Sequence, residues 1–94
     1  MTMNKSILIH KIAERTNLKQ KDCKKALEVL LETIKEQVAA GNKVQLIGFG
    51  TFEQRARMEY TSRNPQNGEL ITIPAHSVPI FKPGKTFKEY VNKK

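Results

Sequence analysis

The first forty residues carry apolar side chains at three- and four-residue spacings, which is the period of an amphipathic α-helix. This pattern predicts two helices, over residues 5–14 and roughly 20–40. Asn4 is a favourable N-cap for the first helix, Asn17 tolerates the left-handed conformation of a helix end, and Gly41 ends the second helix. The apolar stripe of the second helix consists of Cys23, Ala26, Leu27, Leu30, Leu31, Ile34 and Val38. We therefore expect a helical hairpin whose apolar side packs against a core.

After Lys43 the period changes to two, because Val44 and Leu46 alternate with polar residues. Gly48-Phe49-Gly50 then predicts a tight turn into a second strand. A dinucleotide-binding loop is excluded, since its third glycine would fall at Glu53 and no helix follows. The pattern indicates an antiparallel strand pair.

Residues 53–76 have the alternation of strands but too few apolar side chains to form a buried face. Arg55, Arg57 and Arg63 occupy odd-numbered positions and are expected on one side. Asn-Pro and Asn-Gly dipeptides reverse the chain within residues 64–68. We interpret residues 53–76 as a solvent-exposed ribbon arm. Because an isolated two-stranded hairpin is barely stable in water, such an arm indicates a binding function.

The chain then returns through Pro74 and Pro79, which are expected to interrupt a strand that is an edge in any two-stranded ribbon. A short helix follows Gly84, and its inward-facing side chains are expected to be Phe87, Tyr90 and Val91. The predicted fold class is α+β: a helical hairpin base, an antiparallel sheet with an extended two-stranded arm, and a short C-terminal helix. No linker or repeat divides the chain, so residues 1–94 are predicted to form one domain.

Charge narrows the range of partners. The 94 residues include 17 Lys and Arg against 9 Asp and Glu, a formal net charge of +8, which favours a polyanion. The C-terminal lysines that we expect to anchor this polyanion are Lys82, Lys85, Lys88, Lys93 and Lys94. A membrane partner is disfavoured because the apolar helix faces are needed for the core, and no apolar run is long enough to cross a bilayer. Double-stranded RNA is a secondary candidate, because its shallow minor groove suits a narrow wedge poorly. We expect a cytoplasmic protein.

Groups that carry chemistry are few. Cys23 is the only cysteine and there are two histidines, so neither an internal disulfide, a metal site nor a cofactor is predicted. Cys23 is interpreted as a small core residue. Three glutamates spaced by four on the second helix have lysines nearby and are interpreted as solvent-facing charges rather than acid and base groups: Glu28, Glu32 and Glu36. We expect no enzymatic activity.

Several motifs resemble the bacterial HU/integration-host-factor family of histone-like proteins. They are Val-Gln-Leu-Ile-Gly-Phe-Gly-Thr-Phe at 44–52, Arg-Asn-Pro-Gln at 63–66, Pro-Ala at 74–75, Val-Pro at 78–79 and Phe-Lys-Pro-Gly-Lys at 81–85. The resemblance runs from Met3 almost to the end of the chain, in the family's order and spacing. It departs from the family pattern at Tyr60, Ser62 and Asn67.

The resemblance implies an intertwined homodimer with a helical base, a saddle of β-strands and two arms that enter the minor groove of double-stranded DNA. Proteins of this kind bend DNA, prefer bent or nicked duplexes, and contribute to nucleoid organisation and DNA compaction. HU-like members bind with little sequence preference as homodimers, and this is the reading we favour. The alternative is a subunit of an integration-host-factor-like heterodimer that recognises defined sites.

The same resemblance implies roles for individual residues. Pro65 would be the intercalating tip. The DNA-facing residues of the arm would be Arg55, Arg57, Arg63, Asn64 and Gln66. The backbone phosphates would be contacted by Lys5, Lys82, Lys85 and Lys88. The core of the dimer would be filled by Phe49, Phe52 and Phe81.

Overall fold

The computed structural model describes residues 1–93 and has the predicted α+β fold. Its elements are, in chain order, α1 (Lys5–Thr16), α2 (Gln20–Ala39), β1 (Val44–Leu46), β2 (Gly50–Arg57), β3 (Tyr60–Arg63), β4 (Leu70–Ile73), β5 (His76–Pro83) and α3 (Lys85–Val91). Two compact units are present: Met1–Glu36, and a second unit that begins at Gln37. That the whole chain is one domain stays a prediction. Within the described residues, no helix is both long and apolar enough to span a bilayer.

The first unit contains α1 and most of α2. The Asn4 side chain accepts a hydrogen bond of 2.9 Å from the backbone N–H of Ile7, which confirms the predicted N-cap. The helix extends two residues beyond the predicted end, to Thr16. Asn17 then adopts the left-handed conformation at φ 59° and donates its N–H to the carbonyl of Ala13, so the predicted helix stop is also confirmed.

The apolar stripe of α2 is buried at only some of its positions. Cys23 is buried, as predicted, and so is Val38. Leu30 and Leu31 are 47 % and 41 % exposed, although the sequence pattern places them in the core. The prediction of a fully buried stripe is therefore wrong for the single chain, because α1, the only other element among residues 1–36, has 12 residues and cannot cover the 20 residues of α2.

The end of α2 is a Schellman motif. The Gly41 N–H donates to the carbonyl of Val38 and the Asn42 N–H donates to the carbonyl of Gln37, at 3.0 and 2.9 Å. Gly41 lies at φ +91°, where a side chain would be strained. The predicted role of this glycine is confirmed, and the motif leads the chain from the helix into β1.

The second unit contains a three-stranded antiparallel sheet in the order β1-β2-β5. Glu53 lies on the central strand β2 and is only 8 % exposed, because Lys43 and Lys82 lie against its carboxylate from the two sides. The sequence analysis placed Glu53 in the exposed ribbon, which was wrong. Pro79 does not interrupt β5 either, since it pairs in register with Gln54. A proline, which lacks an N–H, is tolerated there because β5 is an edge strand and has no hydrogen-bonded neighbour on one side.

The strands β3 and β4 form a separate two-stranded sheet. Strand pairing stops at residues 58–59 on one side and at 74–75 on the other, so Pro74 lies in a break of the ribbon. The arm is therefore not one uninterrupted ribbon from residue 53 to residue 76. Its outer part, from Tyr60 to Ile73, buries no side chain, as the composition predicts.

The C-terminal helix α3 is held to the sheet at its start. The Gly84 N–H donates to the carbonyl of Phe49 at 2.8 Å, and Phe87 is half-buried against the aromatic side chains of the sheet. Tyr90 and Val91 are 76 % and 69 % exposed, so the prediction that they face inward is wrong for this chain. A helix of seven residues places only about two turns on the sheet, and here one side chain makes that contact.

Candidate nucleic-acid interface

The arm ends in a tight turn that leaves its apex exposed. Arg63 and Leu70 form the last pair of the ladder. Beyond it, the Asn64 N–H donates to the carbonyl of Glu69 at 2.7 Å, and the Gly68 N–H donates to the carbonyl of Asn64 at 2.8 Å. Pro65 lies between these closures and is exposed to solvent. The predicted position of the turn is confirmed.

Side chains as well as backbone groups shape this turn. Asn64 accepts a hydrogen bond from the N–H of Gln66, and Asn67 accepts one from the N–H of Glu69, both at 2.9 Å. These are turns in which an Asx side chain stands in for a backbone carbonyl. Arg63 donates from Nη1 to the carbonyl of Gly68 at 2.7 Å. Two residues assigned to DNA by resemblance, Arg63 and Asn64, thus already stabilise the tip.

The three arginines of the arm are exposed but lie on two different sheets. Arg55 and Arg57 are on β2, where they share a face of the three-stranded sheet because they are two residues apart. Arg63 is on β3, beyond the break at residues 58–59. Arg55 and Arg57 therefore lie side by side on one sheet, whereas residues 58–59, which are in no strand, separate Arg63 from them.

Three of the lysines assigned to phosphate are engaged in ion pairs. Lys5 lies 3.2 Å from Glu28, at the start of α1. Lys82 lies 2.7 Å from Glu53, and Lys85 lies 3.9 Å from Glu89 in the first turn of α3. The remaining member, Lys88, is exposed on α3. Lys94, which the sequence analysis added to this group, lies outside the described residues.

Glu53 is the most constrained charged group of the second unit. Its carboxylate accepts from Lys82 at 2.7 Å through one oxygen and lies 3.3 Å from Lys43 through the other. The hydrogen bond from Lys82 holds the pKa of Glu53 below its usual value. Burial opposes this shift, while the hydrogen bond and charge of Lys43 and the charge of Lys82 add to it. The carboxylate is accordingly anionic at neutral pH, with an ammonium on each oxygen.

On the other side of the sheet, all four phenylalanines of the chain form one cluster. The rings of Phe52 and Phe81 lie 4.7 Å apart between centroids, and those of Phe49 and Phe81 lie 5.3 Å apart. Phe87 stacks on Phe49 at 5.0 Å. Phe49 and Phe81 remain 44 % and 37 % exposed, so the single chain does not cover the cluster. The assignment of Phe49, Phe52 and Phe81 to a dimer core stays a prediction.

Sequence reasoning missed three residues of this region. Glu53 and Lys43 escaped because the register of the β1–β2 hairpin was not drawn. In this hairpin Leu46 pairs with Gly50. The residue three positions before Leu46 therefore lies opposite the residue three positions after Gly50, which places Lys43 opposite Glu53. Phe87 was assigned to a core but not to the ring cluster, which depends on how α3 meets the sheet. No group of three or more potential metal ligands occurs among residues 1–93.

A family described as bacterial DNA-binding protein matches residues 3–92. The chain is 52 % identical to the DNA-binding protein HU of Clostridium pasteurianum over 91 residues, which cover 97 % of this chain and all of that protein. It is 51 % identical to DNA-binding protein HU 1 of Bacillus subtilis over 89 residues, 95 % of this chain and 97 % of that one.

The fold has a counterpart in a solved complex. A cocrystal structure of Anabaena HU with DNA superimposes with a TM-score of 0.92 at 43 % sequence identity, covering 98 % of this chain and all of that chain.

Proposed function

The chain belongs to the bacterial DNA-binding protein family, and from this premise we propose that it binds double-stranded DNA as a homodimer and bends it. Membership of this family also confirms the prediction that the chain is not an enzyme.

The observation that carries the proposal is the exposed two-stranded arm. Between Tyr60 and Ile73 no side chain is buried, so the arm contributes little apolar burial to the fold. Exposed strands of this kind are a liability unless something binds them. The chain's likeness to an HU protein crystallised with DNA supports DNA as the occupant.

In the proposed complex, Pro65 acts as the wedge. It lies at an exposed turn whose shape is set by the bonds of Asn64 and Arg63, so it meets a base step as a rigid apolar group. Minor-groove architectural proteins insert such groups between base pairs and kink the duplex. Unstacking costs a few kcal/mol per step, which is offset when the bent duplex reaches more of the protein.

Lysines of the second unit and Lys5 supply the electrostatic part of the affinity. The ion pairs of Lys5 with Glu28 and of Lys85 with Glu89 are exposed on both sides, and exposed pairs are worth little in water. Exchange of a carboxylate for a phosphate is therefore inexpensive, and counterion release from the duplex drives it. Arg55, Arg57 and Lys88 are exposed and make the same kind of contact.

Exposed apolar side chains support a homodimer. In the single chain Leu30, Leu31, Phe49 and Phe81 are all more than one-third exposed. Soluble monomers seldom leave so many large apolar side chains in water. A second copy that covers them would complete the predicted core of Phe49, Phe52 and Phe81.

Binding is proposed to be largely independent of sequence. The minor groove, in which the arm is proposed to bind, distinguishes A·T from G·C pairs but offers little further sequence information. The proposed role is organisation and compaction of nucleoid DNA, with a preference for bent or nicked duplexes because their deformation is already accomplished.

Replacing the wedge tests the proposal. Pro65→Ala is expected to reduce the bend of a short linear duplex, measured by energy transfer between dyes at its ends. Affinity for a nicked duplex should fall by less, because a nick supplies the flexibility that the wedge otherwise creates. Pro79→Ala is a matched control, since it removes an exposed proline from the edge strand β5 and leaves the tip unchanged.

Equal losses of bending and of affinity for nicked DNA in the Pro65 variant would contradict the wedge. Equal affinity of the unaltered protein for duplex RNA and duplex DNA would contradict the choice of DNA. A mass of one chain in sedimentation experiments, at concentrations where DNA is bound, would contradict the homodimer.

A further inference from the structure

The three-stranded sheet has two chemically different faces. Cross-strand partners in an antiparallel sheet point to the same side, and alternate residues of a strand point to opposite sides. Phe52 pairs with Phe81 and with Val44, which places these side chains together on an apolar face. Glu53 pairs with Ile80 and therefore belongs to the opposite face.

Basic side chains surround Glu53 on that opposite face. Lys82 is two residues beyond Ile80 and so lies on the same side as Glu53. Lys43 comes immediately before β1, and extending the register of Val44 and Phe52 by one residue places it across from Glu53. Arg55 and Arg57 follow Glu53 at two-residue steps on β2. We name Lys43, Arg55, Arg57 and Lys82 the basic face.

The two lysines are held together by one carboxylate. Lys82 lies 2.7 Å from Oε1 of Glu53 and Lys43 lies 3.3 Å from Oε2. The Glu53 side chain is 10 % exposed, whereas those of Lys43 and Lys82 are 70 % and 55 % exposed. The carboxylate thus lies beneath two ammonium groups that face solvent. An ammonium has three N–H donors, so each lysine keeps two for another acceptor.

We propose that Lys43 and Lys82 form a paired binding site for a DNA backbone phosphate, and that Glu53 is its positioning residue. Without the carboxylate of Glu53 between them, the ammonium groups of Lys43 and Lys82 would repel each other and move apart. Glu53 cancels one of the two charges, leaves a net charge of +1 on the three residues, and restricts the motion of two flexible side chains before the phosphate arrives. Restricting them in advance lowers the entropic cost of binding.

A purely structural role for Glu53 is the competing explanation, since a buried carboxylate needs partners wherever it occurs. One lysine hydrogen bond of 2.7 Å already provides a partner. The second lysine, Lys43, immediately precedes the strand on the other side of β2, and both ammonium groups continue the face that carries Arg55 and Arg57. This continuity favours a phosphate site over an isolated stabilising pair.

The inference rests on the proposed function, because it requires that duplex DNA is bound. The test is a salt series of duplex DNA titrations with the full-length protein and with the variants Lys43→Gln and Glu53→Gln. If Lys43 binds a phosphate in each copy of the proposed homodimer, Lys43→Gln should make the negative slope of log K against log salt shallower by about two. Lys43→Arg should restore the slope, because it keeps the charge and the donors. Lys35→Gln is the charge-matched control, as Lys35 is 75 % exposed on α2 beside Glu32.

Glu53→Gln separates positioning from simple charge. This variant raises the net charge by one, so charge alone predicts tighter binding. Loss of positioning predicts binding weaker by about two- to ten-fold, the equivalent of immobilising one long side chain. An unchanged or tighter affinity would overturn the positioning role. Should Glu53→Gln not fold, as judged by circular dichroism, the Lys43 variants still decide whether the site exists, since they leave Glu53 with Lys82.

Lys85→Gln and the unaltered protein complete the experiment. A shallower slope of log K against log salt for Lys85→Gln, together with an unchanged slope for Lys43→Gln, would overturn the paired site and leave the proposed DNA binding intact. Failure of the unaltered protein to bind the duplex in a salt-dependent manner would overturn the proposed function and the paired site together.

Discussion

The three-stranded sheet packs four phenylalanine rings on or beside one face, whereas the two-stranded sheet formed by β3 and β4 buries no side chain at all. Both use the same antiparallel ladder. The first derives its stability from apolar burial and the second from local hydrogen bonds around a turn. Within one short chain, one sheet is therefore held by the packing of side chains and the other by the hydrogen bonds of its own turn.

Removing a ring from the cluster should have the largest effect. Phe81 contacts Phe49, Phe52 and Phe87, so Phe81→Ala is expected to lower the free energy of unfolding by about 3 kcal/mol. Urea unfolding followed by circular dichroism measures this loss. Tyr90→Ala, which truncates an aromatic side chain that is mostly exposed, should change stability by less than about 0.5 kcal/mol. Similar losses for both variants would show that the cluster is not the stabilising core.

Overpacking the same face should have the next largest effect. A Cβ on Gly50 would lie 2.5 Å from the Phe81 ring and 2.6 Å from the carbonyl oxygen of Lys82. Gly50→Ala is therefore expected to destabilise the protein by about 1–3 kcal/mol, because either the ring or the backbone must move. The same urea experiment measures it. The control is Ala56→Ser, because Ala56 is an exposed residue of the same strand β2. Gly48→Ser would not serve as a control, because Gly48 has a positive φ. A stability equal to that of the unaltered protein would contradict the tight approach of Phe81.

Acid should lower the free energy of unfolding by a smaller amount, through protonation of Glu53 on the face opposite the phenylalanine rings. The folded pKa of Glu53 lies below the ordinary glutamate value of 4.5, so the unfolded chain takes up the proton first as pH falls. The stabilisation is fully present above that value and is lost as pH decreases through 4.5 towards the folded pKa. Urea midpoints measured at a series of pH values test this. The pH dependence in this range should be shallower in Glu53→Gln, and an identical dependence would contradict the assignment.

Changes in the arm should have the smallest effect on global stability. Arg63→Ala removes the hydrogen bond to the Gly68 carbonyl, but the tip is exposed and opens locally without unfolding the sheet of β1, β2 and β5. A change of less than about 0.5 kcal/mol in unfolding free energy is expected. Amide hydrogen exchange at Gly68 and Glu69 should nevertheless accelerate. Loss of global stability comparable to that of Phe81→Ala would remove the distinction between the two sheets.

Local signals in the sequence accounted for most of the elements. Asn4, Asn17 and Gly41 were each predicted at a helix end and each acts there through a bond between near neighbours. The turn containing Asn64 and Gly68 was predicted for the same reason. Caps and turns depend on residues a few positions apart, so they can be read without knowing the fold.

The candidate site was predicted less completely. Exposure of Pro65 and of the arm arginines followed from composition, whereas the burial of Glu53 did not. Alternation in sequence shows which residues share a face of a strand, but it does not show which strands cover that face. Phe87 likewise joined the ring cluster only because α3 starts at a backbone hydrogen bond to Phe49.

By itself, the sequence determined the α+β order of elements, the positions of the helix ends and turns, the basic character of the molecule and the family to which it is similar. Tertiary structure alone decided that one carboxylate lies between two lysines, that the ribbon breaks at residues 58–59, and that Tyr90 and Val91 stay in water. The physical reason is the separation along the chain of the residues that interact. Caps, turns and periodicities arise from neighbours along the chain, whereas burial and ion pairing depend on strands that meet only after the sheet has closed.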